Sequence, residues 1–259
     1  MRIATWNING VKARIDNLLH WLNDTAPDVV CLQEIKCVDE AFPSLEIGGL
    51  GYNIAVNGQK GFNGVALIAK RPIKDVQRGL PGSEGDGQAR FVSGLIPADD
   101  GAVRVASCYM PNGNPIGSDK FAYKLDWLRR LEGWTRAELE AEGRLIVAGD
   151  YNIIPEPLDA KNPEAWVTDA LFQPESRAAF RRLSALGLTD AVRAVEDGGN
   201  VYTFWDYQAG AWQKNHGIRI DHVMLSPEAA DRLVQAGVDR HTRAWEKPSD
   251  HVPVWVEMN

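Results

Sequence analysis

The stretch LIVAGDYNIIP, residues 145–155, decides how the chain is interpreted. Its first four residues are apolar, which predicts a short strand buried on both faces. The strand runs directly into GDYN, so Asp150 and Asn152 stand at its carboxyl end. A buried polar group without a partner costs about 1–3 kcal/mol. We therefore expect some polar partner to meet these two side chains.

Strand-like and helix-like segments are mixed along the chain, which indicates an α/β protein. Runs rich in valine, isoleucine and aromatic residues predict strands within residues 2–8, 28–34, 64–70, 103–110, 144–152, 219–225 and 252–258. Apolar residues at helical spacing predict helices within residues 11–25, 119–134 and 176–187. The loops at 79–89 and 155–166 are predicted to lie on the surface.

Length and composition set the size of the core and the number of domains. With 259 residues and 44% hydrophobic composition, the chain can bury a substantial core as one large domain or two small ones. Because no linker divides it, we expect a single domain over residues 1–259. No run approaches the roughly 18 apolar residues of a membrane span, and MRIATWNING has no apolar signal segment. These features predict a cytoplasmic protein without a membrane partner, acting as a monomer.

Cysteine usage and net charge exclude further classes of protein. Cys31, Cys37 and Cys108 form no C-x-x-C pair, and their odd number argues against a disulfide framework. The net charge of −7 argues against a protein that coats nucleic acid through bulk positive charge. It still permits a local basic groove around an acidic, metal-filled pocket.

Polar side chains stand beside several of the predicted strands. Taken singly, each has an ordinary structural interpretation, such as a turn-forming asparagine or a core tyrosine whose hydroxyl reaches water. Taken together, they form a set that phosphoryl-transfer chemistry requires. The set is Asn7, Glu34, Tyr109, Asp150, Asn152, Asp221, Asp250 and His251.

Seven members of this set have a chemical role in phosphoryl transfer that their residue types indicate. Asp150 can hold an attacking water in line, and Asn152 can fix that water or a phosphate oxygen. His251 can stabilise the charge that develops on phosphorus, with Asp221 orienting its imidazole. The lack of a Cys/His cluster argues against structural zinc. Hard oxygen ligands that suit Mg²⁺ or Mn²⁺ come from Glu34, Asp250 and Asn7.

Five blocks of the sequence, TWNING, LQEIK, GDYNI, RIDHVML and KPSDHVPV, carry a resemblance to a known family. They are similar to the signature blocks of the exonuclease III family of apurinic/apyrimidinic (AP) endonucleases, within the endonuclease/exonuclease/phosphatase superfamily. GQKGFNGVALIAK and YMPNGNP extend the match over essentially the whole chain. A single block would be weak, but five blocks in family order are specific.

The resemblance implies a DNase I-like, four-layer α/β/β/α sandwich of two packed mixed sheets flanked by helices, with the site at one rim. By motif, it implies that Glu34 is the principal ligand of one or two Mg²⁺ ions, which Mn²⁺ can replace, helped by Asn7 and Asp250. It implies nucleophile handling by Asp150 and Asn152, assistance at the phosphate by Tyr109, and an orienting pair of Asp221 and His251. We also count Asp150, Asn152 and His251 among the candidate metal ligands.

The block VYTFWDYQAGAWQ, residues 201–213, bears on the substrate. A strand here would place Tyr202 and Phe204 on one face and Thr203 and Trp205 on the other. The structural interpretation is that one face lies in the core and a tryptophan-bearing loop follows. The functional interpretation is a pocket for a flipped, base-less sugar, walled by Phe204, Trp212 and Ile218. We expect further substrate contacts from Lys36, Arg90 and Asn112, and Lys60, Lys120, Lys124 and Arg219 are additional candidates for phosphate contacts.

Three functions remain open at this point. The first is a nuclease that cleaves duplex DNA 5′ to abasic sites, has 3′-phosphodiesterase activity on blocked 3′ ends, and has 3′→5′ exonuclease activity as a further candidate. The second is a phosphodiesterase of the same fold acting on lipid or inositol phosphates. The third is a non-catalytic nucleic-acid-binding module, which ranks last because every clustered acid is present. The aromatic block and GQKG favour the first function.

Overall fold

The computed structural model describes all 259 residues, which form two six-stranded sheets with helices outside them. The strands are β1 (Arg2–Asn7), β2 (Val29–Gln33), β3 (Asn53–Asn57), β4 (Val65–Ala69), β5 (Lys74–Arg78), β6 (Phe91–Ala98), β7 (Gly101–Tyr109), β8 (Arg144–Asp150), β9 (Thr189–Asp190), β10 (Asp221–Leu225), β11 (Leu233–Val238) and β12 (Val254–Met258). The helices are α1 (Ile15–Thr25), α2 (Ser44–Gly48), α3 (Asp119–Leu139), α4 (Pro174–Ala185), α5 (Ala191–Val195) and α6 (Pro227–Ala230).

Sheet topology brings four strand ends to one rim. The first sheet runs β11-β12-β1-β2-β4-β3 and the second β5-β6-β7-β8-β10-β9. β1 is parallel to β2, and β7 is parallel to β8, whereas the other neighbours are antiparallel. Parallel neighbours end at the same edge of a sheet, and β1 packs on β8 while β2 packs on β7. The polar residues that follow these strands therefore meet.

Apolar side chains fill three layers around and between the sheets. The space between the sheets holds residues such as Ile3, Val105 and Ile146. One outer cluster lies between the second sheet and helices α3 and α4, and another lies between the first sheet and α1. Each fully buried aliphatic side chain contributes roughly 1.5–3 kcal/mol. The arrangement is helix, sheet, sheet, helix, which confirms the fold class implied by the resemblance.

The sequence predicted the central elements and missed several edge elements. Every predicted strand region contains a strand, and the three predicted helices occur, although Lys12–Arg14 forms a 3-10 turn before α1. The unpredicted strands are β3, β5, β6, β9 and β11. None of the helices combines the length and the apolar character that crossing a bilayer requires.

The strand considered for residues 202–205 is wrong. Phe204 makes only isolated bridges, to Ile218 and His251, so no continuous neighbouring strand pairs with this segment. Tyr202, Thr203 and Trp205 are all buried, and the side chains do not alternate between core and solvent. Both sides of this segment pack against other parts of the protein, and these tertiary contacts override the strand conformation that its composition favours.

Candidate active site

Asp150, Asp221 and His251 form a buried line at the rim. Asp150 is the last residue of β8, and Asp221, the first residue of β10, pairs with it in antiparallel register. His251 Nδ1 lies 2.8 Å from Asp221 Oδ2, and His251 Nε2 lies 3.8 Å from Asp150 Oδ2. Thr203 Oγ1 accepts hydrogen bonds from the amides of Ile220 (3.1 Å) and Asp221 (3.2 Å) and so fixes the start of β10.

The two carboxylates control the charge of the imidazole. Burial alone lowers the pKa of His251, but Asp221 and Asp150 more than offset burial and raise this pKa to about 10. Burial raises the pKa of Asp150 to about 7, against the opposing charge of His251. Asp221 Oδ1 is buried without a hydrogen-bond partner. The two carboxylates therefore favour the protonated form of the histidine.

A second group of side chains joins the two sheets. Asn7 Nδ2 donates to Glu34 Oε1 (3.0 Å) and to Asp150 Oδ2 (2.9 Å). Tyr109 donates its hydroxyl to Glu34 Oε1 at 2.8 Å, and Lys36 Nζ lies 2.8 Å from Glu34 Oε2. Burial alone would raise the pKa of Glu34, but the hydrogen bonds from Asn7 and Lys36 outweigh it and lower this pKa. Burial raises the pKa of Tyr109 well above its ordinary value, so the hydroxyl stays a donor.

The backbone at the rim adopts a conformation that L-residues rarely use. Asn9, Glu34, Lys36 and Asn152 all have positive φ, between 48° and 55°. Such residues cost of order 1–3 kcal/mol each and persist where the surroundings hold them. Here the amide of Gly10 donates to the carbonyl of Glu34 (2.7 Å). Hydrogen bonds of this kind hold the strained backbone of the rim in place.

The partners of Asp150 and Asn152 answer the question that their position in the sequence raises. Asp150 Oδ1 accepts from the amide of Asn152 (2.9 Å), and Asn152 Nδ2 donates to the carbonyl of Met110 (3.0 Å). Asn112 Nδ2 donates to Asn152 Oδ1 at 3.3 Å. A Cβ on Gly149 would lie 1.9 Å from the carbonyl oxygen of Cys108, so only glycine fits before Asp150.

Two of the cations considered for phosphate contacts are buried instead. Lys124, from α3, is fully buried and donates to the carbonyls of Asn152 (2.6 Å) and Asn112 (3.1 Å). Arg219 is 1% exposed and pairs with Asp159 and Asp190, at 2.7 Å each. Both predictions are wrong because carbonyls and acids distant in sequence enclose these cations. Burial lowers the pKa of Lys124 to about 7.

The other predicted substrate residues are distributed around the rim. Lys36 pairs with Glu34, Asn112 contacts Asn152, and the guanidinium carbon of Arg90 lies 4.7 Å from the centroid of the Tyr109 ring. All three side chains are at least partly exposed, whereas Lys60 and Lys120 are fully surface residues.

Of the three residues predicted to wall the substrate pocket, only one lines a cavity. The Phe204 ring lies 4.9 Å from the His251 ring and lines a cavity of about 470 Å³. Ile218 is buried beneath Phe204 in an apolar cluster. Trp212 packs on Trp205, with ring centroids 5.0 Å apart, and does not line this cavity.

Sequence reasoning missed residues that the fold brings to this rim. Trp166 lines the same cavity, although it belongs to a loop whose composition predicts a surface position. A lone tryptophan in a polar loop was the only local signal. Asn9 was also missed; its Nδ2 donates to Asp250 Oδ1 at 3.0 Å, and it follows the TWN motif closely.

The donor set of the rim fits a small hard cation. The carboxylates of Glu34 and Asp150 both accept from the amide of Asn7, with Lys36 beside Glu34 and His251 beside Asp150. Asp250 adds a third, half-buried carboxylate next to Asn9. Ligand atoms of Asp150, Asp221 and His251 lie within 4.8 Å of one another. Oxygen donors of this kind suit Mg²⁺ or Mn²⁺, whereas a protonated His251 has no free lone pair for a metal.

The sequence matches the Endonuclease/Exonuclease/phosphatase family over residues 4–251. The chain belongs to this family. It is 36% identical to exodeoxyribonuclease III of Haemophilus influenzae, with all of both chains covered. The resemblance stated from five sequence blocks is confirmed by this match.

Solved structures of family members superpose on the whole chain. A substituted form of the 3′ phosphatase NExo from Neisseria, bound to product DNA hairpin, is 37% identical with a TM-score of 0.96, and the match covers 100% of this chain and 99% of that one. An AP endonuclease from Archaeoglobus fulgidus is 33% identical with a TM-score of 0.95 and the same coverage. The four-layer fold of the family is therefore shared over its full extent.

Proposed function

We propose that this protein is a DNA-repair nuclease that hydrolyses the backbone on the 5′ side of abasic sites in duplex DNA, leaving a 3′-hydroxyl. It also processes blocked 3′ ends and acts as a single-domain monomer. The observation that carries the proposal is the buried line of Asp221, His251 and Asp150 beside Glu34. The family relationship to an exodeoxyribonuclease, a 3′ phosphatase and an AP endonuclease supports DNA as the substrate.

The proposed reaction is an in-line attack of water on phosphorus. Asp150 accepts a proton from the water as its oxygen bonds to phosphorus, and the bond from phosphorus to the 3′-oxygen breaks. The departing oxygen takes up a proton and becomes the 3′-hydroxyl. His251, held protonated, donates from Nε2 to a phosphoryl oxygen where negative charge develops. Asp221 fixes the orientation of the imidazole through Nδ1.

Glu34, Asp150, Asp250 and Asn7 would hold the metal. When bound, Mg²⁺ supplies positive charge that offsets the repulsion of these acids and polarises the phosphoryl oxygens. Mn²⁺ would substitute, and one or two ions would be bound during turnover. Tyr109 and Asn152 border the same position and would hold phosphate oxygens by hydrogen bonds.

Selection of an abasic site fits the cavity beside Phe204. A base-less sugar lacks the stacking that retains a nucleotide in the helix, so extruding it costs less, by part of a term of a few kcal/mol. Phe204 and Trp166 give the cavity aromatic surface next to His251. An inositol polyphosphate would need several cations, but Lys161 and His216 are the only basic residues that line it. The nuclease therefore fits better than the lipid or inositol phosphatase.

One assay tests the proposal. A duplex with a central tetrahydrofuran analogue of an abasic site is incubated with the protein and Mg²⁺, with Mn²⁺, or with EDTA, and a 3′-phosphate duplex and an inositol phosphate serve as alternative substrates. We expect cleavage 5′ to the analogue only when a divalent cation is present, and no hydrolysis of the inositol phosphate. Full cleavage in EDTA would contradict the mechanism, and hydrolysis of the inositol phosphate alone would replace the proposed substrate.

A further inference from the structure

Most arginines of the chain pair with a carboxylate within 4.0 Å. The arginines without such a partner are Arg14, Arg78, Arg90, Arg181, Arg240 and Arg243. Arg14, Arg240 and Arg243 lie together around two aromatic side chains. In an acidic chain with a net charge of −7, a cluster of arginines without ion-pair partners requires a reason. We call the group formed by Arg14, Tyr207, Trp212, Arg240 and Arg243 the arginine–aromatic surface.

The guanidinium groups of this surface stack on rings. The guanidinium carbon of Arg240 lies 4.9 Å from the centroid of Trp212 and 5.4 Å from that of Trp205. The guanidinium carbon of Arg243 lies 4.9 Å from the centroid of Tyr207. A stacked guanidinium keeps the N–H groups at its edge free to donate to a phosphate. Arg240 is exposed, and its only side-chain hydrogen bond goes to Asn215 Oδ1 (3.0 Å).

Arg243 is the buried member of the arginine–aromatic surface. Arg243 is 7% exposed, donates to the carbonyl of Trp205 (3.1 Å), and has no partner for its Nε. The acids that influence its pKa, Asp250 and Asp206, lie beyond ion-pairing distance. Arg243 therefore has no carboxylate partner at ion-pairing distance, and its guanidinium carbon lies 4.9 Å from the ring centroid of Tyr207 and 5.8 Å from that of Trp212.

The surface is continuous with the active site. Arg14 donates from Nη2 to the hydroxyl of Tyr207 at 3.0 Å. Asn9 Nδ2 lies 3.4 Å from the same hydroxyl and 3.0 Å from Asp250 Oδ1. Contacts therefore run from Asp250 to Tyr207 through Asn9, and from Tyr207 to Trp212 and Arg240 through Arg243.

We propose that the arginine–aromatic surface binds the phosphate backbone of duplex DNA beyond the scissile bond, with Arg240 in direct contact with a phosphate. This inference rests on the proposed function and adds a contact outside the reacting atoms. Trp212 serves as the platform for Arg240, which accounts for its position away from the cavity of Phe204. Each neutralised phosphate adds about 0.9 to the slope of log affinity against log salt.

The test compares binding of Arg240→Gln and wild type to the abasic-analogue duplex in EDTA, over about 50–200 mM salt. We expect the slope to fall by about 1 and affinity near 0.1 M salt to fall roughly fivefold to tenfold. Arg240→Lys should retain the wild-type slope because it keeps the charge. The matched control is Arg129→Gln, which removes an exposed arginine paired with Asp126 and should change neither quantity.

The outcomes separate this inference from the proposed function. If wild type neither binds nor cleaves the duplex, the proposed function fails and this inference fails with it. If wild type binds and cleaves but Arg240→Gln keeps the slope of Arg129→Gln, only the arginine–aromatic surface is refuted. A loss of affinity with no change in slope, shared fully by Arg240→Lys, would assign Arg240 a packing role and also overturn the proposal. Cleavage at saturating enzyme should stay within about twofold of wild type for the control Arg129→Gln.

Discussion

Among the aspartate–histidine pairs of the protein, Asp221–His251 and Asp190–His222 allow catalysis to be separated from stability by replacing one carboxylate in each. In the site, Asp221 Oδ2 lies 2.8 Å from His251 Nδ1. Outside it, Asp190 Oδ2 lies 3.6 Å from His222 Nδ1 and 2.7 Å from Arg219 Nη1. Both carboxylates belong to strands of the same sheet, so one variant of each is a matched comparison.

Asp221→Asn is expected to damage the chemistry and to spare the fold. The amide keeps the shape of the side chain but no longer holds the imidazole in its protonated, oriented state, which typically lowers the rate 10²–10⁴-fold. Asp221 Oδ1 has no partner, and the neighbouring Asp150 repels the carboxylate. His251 keeps Asp150 as an acidic partner at 3.8 Å, and loss of the repulsion between Asp150 and Asp221 offsets part of the lost pairing. We therefore expect Asp221→Asn to lower the free energy of unfolding by less than Asp190→Asn does.

Asp190→Asn is expected to do the reverse. Arg219 is 1% exposed and would keep only Asp159 as an acidic partner. Breaking a buried ion pair costs about 3–5 kcal/mol, and we expect about 3 kcal/mol because one partner remains. For a chain of this size the midpoint of thermal unfolding would fall by roughly 6–12 °C. The rate per folded molecule should stay close to that of wild type.

Single-turnover cleavage of the abasic-analogue duplex measures the rate, and circular dichroism of the free protein measures unfolding. The rates are taken at a temperature at which every variant is folded. We expect Asp221→Asn to lose more of the cleavage rate and Asp190→Asn to lose more stability. Equal rate losses in Asp221→Asn and Asp190→Asn, or a rate loss in Asp221→Asn that only mirrors a lower unfolding temperature, would refute the assignment of Asp221 as the residue that orients His251.

Four further measurements follow. Glu34→Ala should abolish the response of the protein to added Mg²⁺ in isothermal titration, and this effect should exceed its effect on thermal unfolding, because leaving Asn7 and Tyr109 without their acceptor costs only about 1–3 kcal/mol. Lys124→Met should lower the maximal cleavage rate about tenfold without weakening duplex binding, since Lys124 fixes the backbone of Asn152; equal rates would limit the lysine to packing. Phe204→Ala should reduce the ratio of kcat/KM for abasic over intact duplex, and an unchanged ratio would exclude Phe204 from selection. Burial alone would raise the pKa of Asp190, but Arg219 and His222 outweigh burial and hold this pKa below its value in the unfolded chain. The carboxylate therefore stabilises the folded state fully above about pH 4, and this contribution is lost as the pH falls further. The free energies of unfolding of wild type and Asp190→Asn should converge in acid.

Sequence reasoning could group the rim residues because strand ends set their positions. Asp150, Glu34 and Tyr109 stand at or just after the ends of apolar runs, and parallel neighbours place such ends at one edge. The chemistry that suits clustered acids then limits the set of possible functions before any distance is known. Local pattern was sufficient here because the strands are buried and their register is fixed by the core.

The same reasoning failed where position depends on distant partners. Trp212 is close in sequence to Phe204, but the chain between them turns away and Trp212 packs on Trp205 and Arg240. Lys124 has the sequence context of a surface lysine on a helix, and only the carbonyls of two residues beyond other strand ends explain its burial. Local sequence pattern does not show which helix cations will be enclosed by carbonyls from distant parts of the chain.

Residues of the first strand can contribute to the site only after the end of the chain has been synthesised. β1 lies between β12 and β2, and Trp6 Nε1 donates to the carbonyl of His251 (3.1 Å), 245 positions later. A ribosome-bound chain therefore has Asn7 and Glu34 but neither Asp250 nor His251. A nascent or prematurely terminated chain that lacks Asp250 and His251 therefore cannot form the Asp221–His251 pair of the proposed site.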